Sequence, residues 1–182
     1  ILNYSGALMR DPEEIIHGEY VRIKDEKLSF NPLGFEIRFD TKKAYAAKQN
    51  DNALDMSRRD LDWRDWWEII VGNSKMTLDS NRLYLLGSLG TLVIGRAGGI
   101  ISKEQRTYNG LGGFGCLAGV IQPGFVGQIT MEPFFPNKTE IRKGDVAGQV
   151  LIDPVEGCYK SVYSGNYQGQ KAPRLPKVFS FH

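Results

Sequence analysis

A chain of 182 residues is long enough to bury a core and fits one domain, with or without an appended arm, and its 21 glycines and 8 prolines, scattered without period, suit short strands joined by tight turns. The 23 basic and 21 acidic residues leave a formal net charge of +2, too balanced for a nucleic-acid-binding field, so nucleic acid is not an expected partner. No long apolar run or signal-peptide order is present, and Cys116, Cys158, His17 and His182 fall at no zinc-ligand spacing; the expectation is a mainly β, cytoplasmic protein with reduced thiols, no membrane contact and no metal site of its own.

In chain order, Asp11 as N-cap, Pro12, the acidic pair Glu13 and Glu14, and Gly18 at the close predict a short helix. Residues 20–23 read as a strand. After a charged turn at Asp25-Glu26-Lys27, Phe35, Ile37 and Phe39 alternate with Glu36 and Arg38 and predict a second, amphipathic strand. Residues 40–74 carry little periodic signal except at Trp63, Trp66, Trp67 and Ile70, whose i, i+3, i+4, i+7 spacing predicts a helix packed over a sheet. A base-stacking platform is the other use of such tryptophans, and the interleaved Asp60, Asp62, Asp65 and Glu68, which repel phosphate, count against it.

From Met76 onward the pattern is a strand-turn series, with a turn at 78–81, strands at 83–86 and 91–94, and a glycine-rich tight turn at Gly95-Arg96-Ala97-Gly98-Gly99. The order of a phosphate-binding P-loop is absent. Residues 119–132 then read as a β-hairpin: Val120 and Ile121 lead into Pro123-Gly124, and Ile129 and Met131 alternate with Gln128 and Thr130 before Glu132. Pro133 and Pro136 stop the ladder, and a final strand pair is predicted at 139–141 and 146–152, joined through Arg142-Lys143-Gly144-Asp145. The remainder, with Tyr159, Tyr163, Tyr167, Pro173 and Pro176, has no period, as in a tail that stays mobile until something docks it. The chain therefore divides into a domain at 1–158 and a C-terminal arm at 159–182.

Several segments together resemble a known family. They are Asn31-Pro32-Leu33-Gly34-Phe35-Glu36-Ile37-Arg38, the 78–88 stretch ending Leu86-Gly87-Ser88, the 119–132 hairpin with Pro123-Gly124-Phe125-Val126-Gly127, Arg142-Lys143-Gly144-Asp145-Val146-Ala147-Gly148-Gln149-Val150, and Tyr163-Ser164-Gly165-Asn166-Tyr167-Gln168-Gly169-Gln170-Lys171-Ala172-Pro173. In this order they resemble the conserved blocks of the dCTP deaminase and dUTPase superfamily, specifically its dCTP deaminase branch, over nearly the whole chain apart from 40–75. The resemblance implies a mainly β fold, a distorted jelly-roll-type β-barrel with short helices, assembled as a homotrimer. The arm would close over a pyrimidine deoxynucleoside triphosphate and its Mg2+. Glu132 would be the general base and acid for water attack at C4 of cytosine, with Gln122 as a second catalytic-site residue. Arg106, Thr107, Phe125, Gln149, Tyr167, Gln170 and Lys171 would bind the nucleotide. Arg106 and Thr107 follow from block spacing; Arg96, in Gly95-Arg96-Ala97-Gly98, is the alternative.

The site so implied is degenerate. Gln122 replaces the aspartate of dUTPases and can orient water but cannot take its proton. Val120 and Gly119 replace an arginine and a histidine, and Asn166 replaces the arm's lysine. The expected activity is deamination of dCTP or a modified deoxycytidine nucleotide. The alternatives are a catalytically inactive trimeric family member acting as a nucleotide-binding, structural or interaction module, and pyrophosphate release from dUTP.

Overall fold

The computed structural model describes residues 21–24, 30–31, 34–50, 53, 55, 57–58, 61–95, 97–102, 115–116, 119–154, 163–176 and 179–180. The predicted helix near Pro12, Arg96, Arg106, Thr107, Cys158 and the 158/159 boundary lie outside them. The elements run β1 Val21–Lys24, β2 Phe30–Asn31, β3 Gly34–Ala47, β4 Leu61–Asp62, the one-turn helix α1 Trp63–Trp66, β5 Trp67–Val71, β6 Lys75–Leu78, β7 Arg82–Ser88, β8 Thr91–Ile94, β9 Ala97–Ser102, β10 Gly115–Cys116, β11 Val120–Ile121, β12 Val126–Gly127, β13 Thr130–Met131, β14 Pro133–Phe135, β15 Thr139–Arg142, β16 Val146–Pro154 and β17 Phe179–Ser180. The mainly β expectation is met. Among the described residues the strands form open ladders, the largest in the order β10-β14-β7-β3-β16-β9-β11 with β13, β2 and β5 attached, and no closed barrel appears.

Strand β3 organises this ladder, pairing antiparallel with β16, β7, β5 and β2. Its first half buries Phe35, Ile37 and Phe39, as their alternation predicts. Between Asp40 and Ala44 the register against β7 shifts. Beyond the shift the even-numbered Ala44 and Ala46 face the same core that the odd-numbered residues filled. Thr41, fully buried at the shift, donates its hydroxyl to Asn73 O at 2.6 Å, which satisfies the polar group in the interior. A phase change of this kind erases a period-two pattern, so the second half of β3 could not be read from alternation.

The β3–β7 sheet is covered on both faces. Tyr84 and Leu86 of β7 join the main core with Leu92, Ile94, Ile129 and Met131; Leu85, with Leu83 half-buried beside it, joins a second cluster with Tyr45, Leu61, Trp67 and Leu175. Two-sided burial explains the continuous apolar run at 83–86.

Four expectations are corrected. The tryptophan segment is helical only over α1, after which Trp67–Val71 is a strand on β3; the β-branched Ile69, Ile70 and Val71 favour the extended form, and β3 offers a free ladder. The two arms of the 119–132 hairpin part company: β11 pairs with β9, β12 with β8 and β13 with β7. The last two strands also choose other partners, β15 pairing with β6 and β16 with β3 and β9. Finally, the glycine-rich stretch after Ile94 is already strand β9 from Ala97, laid along β16.

Candidate functional site

The site is built around the turn between β11 and β12. Pro123 and Gly124 occupy the central positions, Gly124 has φ 89°, and Phe125 N–H donates to Gln122 O at 3.2 Å; proline sets the first φ and glycine accepts the positive second one, as a type II turn requires. Gly124 N–H donates to Ile94 O at 2.9 Å and Ile94 N–H to Phe125 O at 2.8 Å, fixing the turn to β8. After it, Ser88 secures the strand: its hydroxyl accepts from Ile129 N–H at 2.8 Å and its own N–H donates to Ile129 O at 2.9 Å. Ile129 and Met131 are thereby held inward, and Thr130 and Glu132 are half-buried between them.

Across this strand lies the arm, docked on its own chain. Tyr163 N–H donates to Pro123 O at 2.8 Å, Gly169 N–H to Val126 O at 2.7 Å, and Gln128 N–H to Gln170 O at 2.9 Å. The Gln168 carboxamide spans the turn, accepting from Val126 N–H and donating to Gly124 O, both at 2.8 Å. Gln170, 3% exposed, donates from Nε2 to Gln128 O and to Thr130 Oγ1. Tyr163 tilts against Phe125 with ring centroids 5.8 Å apart. Pro173 packs on Gly87, where an added Cβ would meet its Cδ at 3.1 Å. Leu175, buried in the second core cluster, anchors the far end.

Strand and arm line an open cleft of about 370 Å³. Ile121, Gln122, Phe125, Thr130 and Glu132 line one side; Tyr163, Tyr167, Gln170 and Arg174 line the other. Of the residues singled out in the sequence, Glu132, Gln122, Phe125, Tyr167 and Gln170 thus meet. Gln149 is half-buried in β16 opposite Glu36 and Ser102, and Lys171 is exposed on the arm; neither lines the cleft. Thr130 and Arg174 were missed: Thr130 reads as an ordinary outward strand residue, and Arg174 sits in an aperiodic tail with no signal of direction. The Oε1 atoms of Gln128 and Gln170 are buried without a hydrogen-bond partner in the structure. Among the described residues no group of three or more His, Cys, Asp or Glu could hold a metal ion, and no helix is long and apolar enough to cross a membrane.

No family model matches the sequence. Among solved structures, the fold is similar to that of 2'-deoxycytidine 5'-triphosphate deaminase from Agrobacterium tumefaciens, with a TM-score of 0.68 at 17% sequence identity over 86% of this chain. The match covers 50% of that chain, so the present sequence spans about half of its length. The likeness is one of fold: this chain folds like a dCTP deaminase.

Proposed function

We infer that the chain is a hydrolase of the dCTP deaminase type, acting on dCTP or a modified deoxycytidine nucleotide. The observation that carries the reading is Glu132, a carboxylate in the wall of an open cleft lined on its other side by the arm, on a fold similar to that of a dCTP deaminase. In this reading Glu132 takes a proton from water as its oxygen adds to C4. The carboxylic acid returns that proton to ring N3, and the second water proton leaves with the amino group, so that dCTP and water become dUTP and ammonia. The Gln122 carboxamide orients the water without accepting its proton. Mg2+, if bound, would be carried by the triphosphate and offset its charge, with no protein carboxylate cluster among the described residues to hold it. Arg106 and Thr107, Phe125, Tyr167 and Gln170 are the proposed nucleotide contacts, and a homotrimer of jelly-roll-type barrels in the cytoplasm is the proposed assembly and setting.

The test is ammonia release from dCTP. Glu132→Gln is expected to lower the rate by ~10²-fold or more, the ordinary contribution of a positioned acid-base group. A full rate in that variant, or no ammonia from any pyrimidine deoxynucleotide, sinks the reading. A second reading, a non-catalytic nucleotide-binding module, is favoured by Val120, which is 77% exposed and brings no charge to the cleft. Tight dCTP binding by calorimetry with no ammonia selects it, and pyrophosphate release from dUTP would select the dUTPase alternative.

A further inference from the structure

Thr130, in β13, and Glu132, just after it, are both half-buried and both line the cleft. Thr130 takes no part in the proton transfers of Glu132, yet its hydrogen bonds fix what its hydroxyl can do. Arg174 N–H donates to Thr130 Oγ1 at 3.2 Å, and a backbone N–H can only donate. Gln170 Nε2 donates to the same oxygen at 3.1 Å. The orientation of that carboxamide is set by its other contact: the backbone carbonyl of Gln128 can only accept, so it faces Nε2 rather than Oε1. A threonine hydroxyl has two lone pairs and one proton. Both lone pairs of Thr130 are taken, and among the described residues its proton is donated to no partner. The wall therefore offers a hydroxyl fixed as a donor beside a carboxylate that, when ionised, can only accept.

We propose that the Thr130 hydroxyl donates to the carbonyl oxygen O2 of the cytosine ring and is a second catalytic residue of the deamination. This inference rests on the deaminase reading given above. As the water oxygen bonds to C4 and Glu132 takes its proton, the electron pair of the N3–C4 double bond moves to N3. The charge is shared through C2 between N3 and O2. N3 is the end that Glu132 protonates, which leaves O2 as the ring acceptor for a donor. Two neighbours hold the Thr130 hydroxyl in its role before any ligand arrives, so it needs no reorganisation during the step. O2 carries more charge during addition than in the bound substrate; the hydrogen bond strengthens toward the transition state, and its loss falls on kcat more than on KM.

Ammonia release from dCTP and from its 2-thio analogue, measured on the wild-type chain, Thr130→Val and Thr130→Ser, tests the proposal. Thr130→Val is expected to lower kcat on dCTP by about tenfold or more with a smaller change in KM, while Thr130→Ser keeps most of the rate. Sulfur accepts hydrogen bonds weakly, so the gap between wild type and Thr130→Val should shrink on the 2-thio substrate. Thr130→Val also removes an acceptor from Gln170 and Arg174. A role confined to holding those two groups would lower the rate on both substrates by the same factor; that result overturns the inference and leaves the deaminase reading standing, as does an unchanged kcat. Circular dichroism checks the fold, and Thr130→Ala carries the same comparison if Thr130→Val disturbs it. No ammonia from either substrate with the wild-type chain overturns the deaminase reading and this inference together.

Discussion

Tyr84 is fully buried, stacked edge-on against Phe135 at 5.9 Å, with its hydroxyl accepting from Asp79 N–H at 2.7 Å and donating to Asp79 O at 3.1 Å. Burial pushes its phenol above the ordinary value of 10.0, opposed by the backbone hydrogen bond from Asp79. The unfolded chain therefore ionises first as pH rises past 10.0, and the stability Tyr84 contributes is complete below that value and lost as pH climbs through the folded one. Tyr84→Phe is expected to cost about 1 kcal/mol at pH 8, the worth of a hydrogen bond whose backbone partners remain within reach of water. Urea unfolding at pH 8 and above pH 10 should show the wild-type advantage narrowing; a constant gap would contradict the assignment. Glu132 differs from Tyr84 in lying half-buried in the wall of the cleft, where no ion pair holds it among the described residues.

The turn and the arm form one device. The predicted turn chemistry of Pro123-Gly124 is confirmed, and its carbonyls and N–H groups are taken by Tyr163, Gln168 and Gly169 of the arm. Gly127 allows the close approach: a Cβ there would lie 3.1 Å from Gln170 N, Gln170 O and Phe125 Cζ. Gly127→Ala must therefore shift backbone or a packed ring, and overpacking of this kind costs roughly 1–3 kcal/mol. The expected outcome is a loosened arm, seen as faster trypsin cleavage after Lys171 and Arg174. Cleavage at the wild-type rate would mean that the arm does not depend on this contact.

In the whole molecule, β3 carries the main core on one face and the smaller tryptophan cluster on the other, so the arm's Leu175 closes a core while the arm lines the cleft. Some apolar surface stays uncovered in the single chain: Ile69 and Phe134 are about half exposed, and Val71 and Val120 mostly so. The proposed homotrimer is expected to sediment at three times the 20.4 kDa of one chain. A monomer at micromolar concentration would remove the trimer from the functional reading while leaving Glu132 to be tested as it stands.

Local rules made part of this protein legible. The inward set of Phe35, Ile37 and Phe39, the turn at Pro123-Gly124, the alternation of Ile129 and Met131, and a carboxylate closing that strand all follow from period, turn chemistry and residue type over a few positions. Block order then pointed to a fold that the solved deaminase shares. Partner choice was not local. Which strand accepts each arm of the 119–132 hairpin, why β3 changes phase at Thr41, and why Trp67–Val71 extends where its spacing reads as helix depend on ladders offered by distant segments. The same holds for the site: Glu132 could be named from its block, but only the docked arm brings Arg174 to the same cleft, because an aperiodic tail takes its direction from the surface it meets.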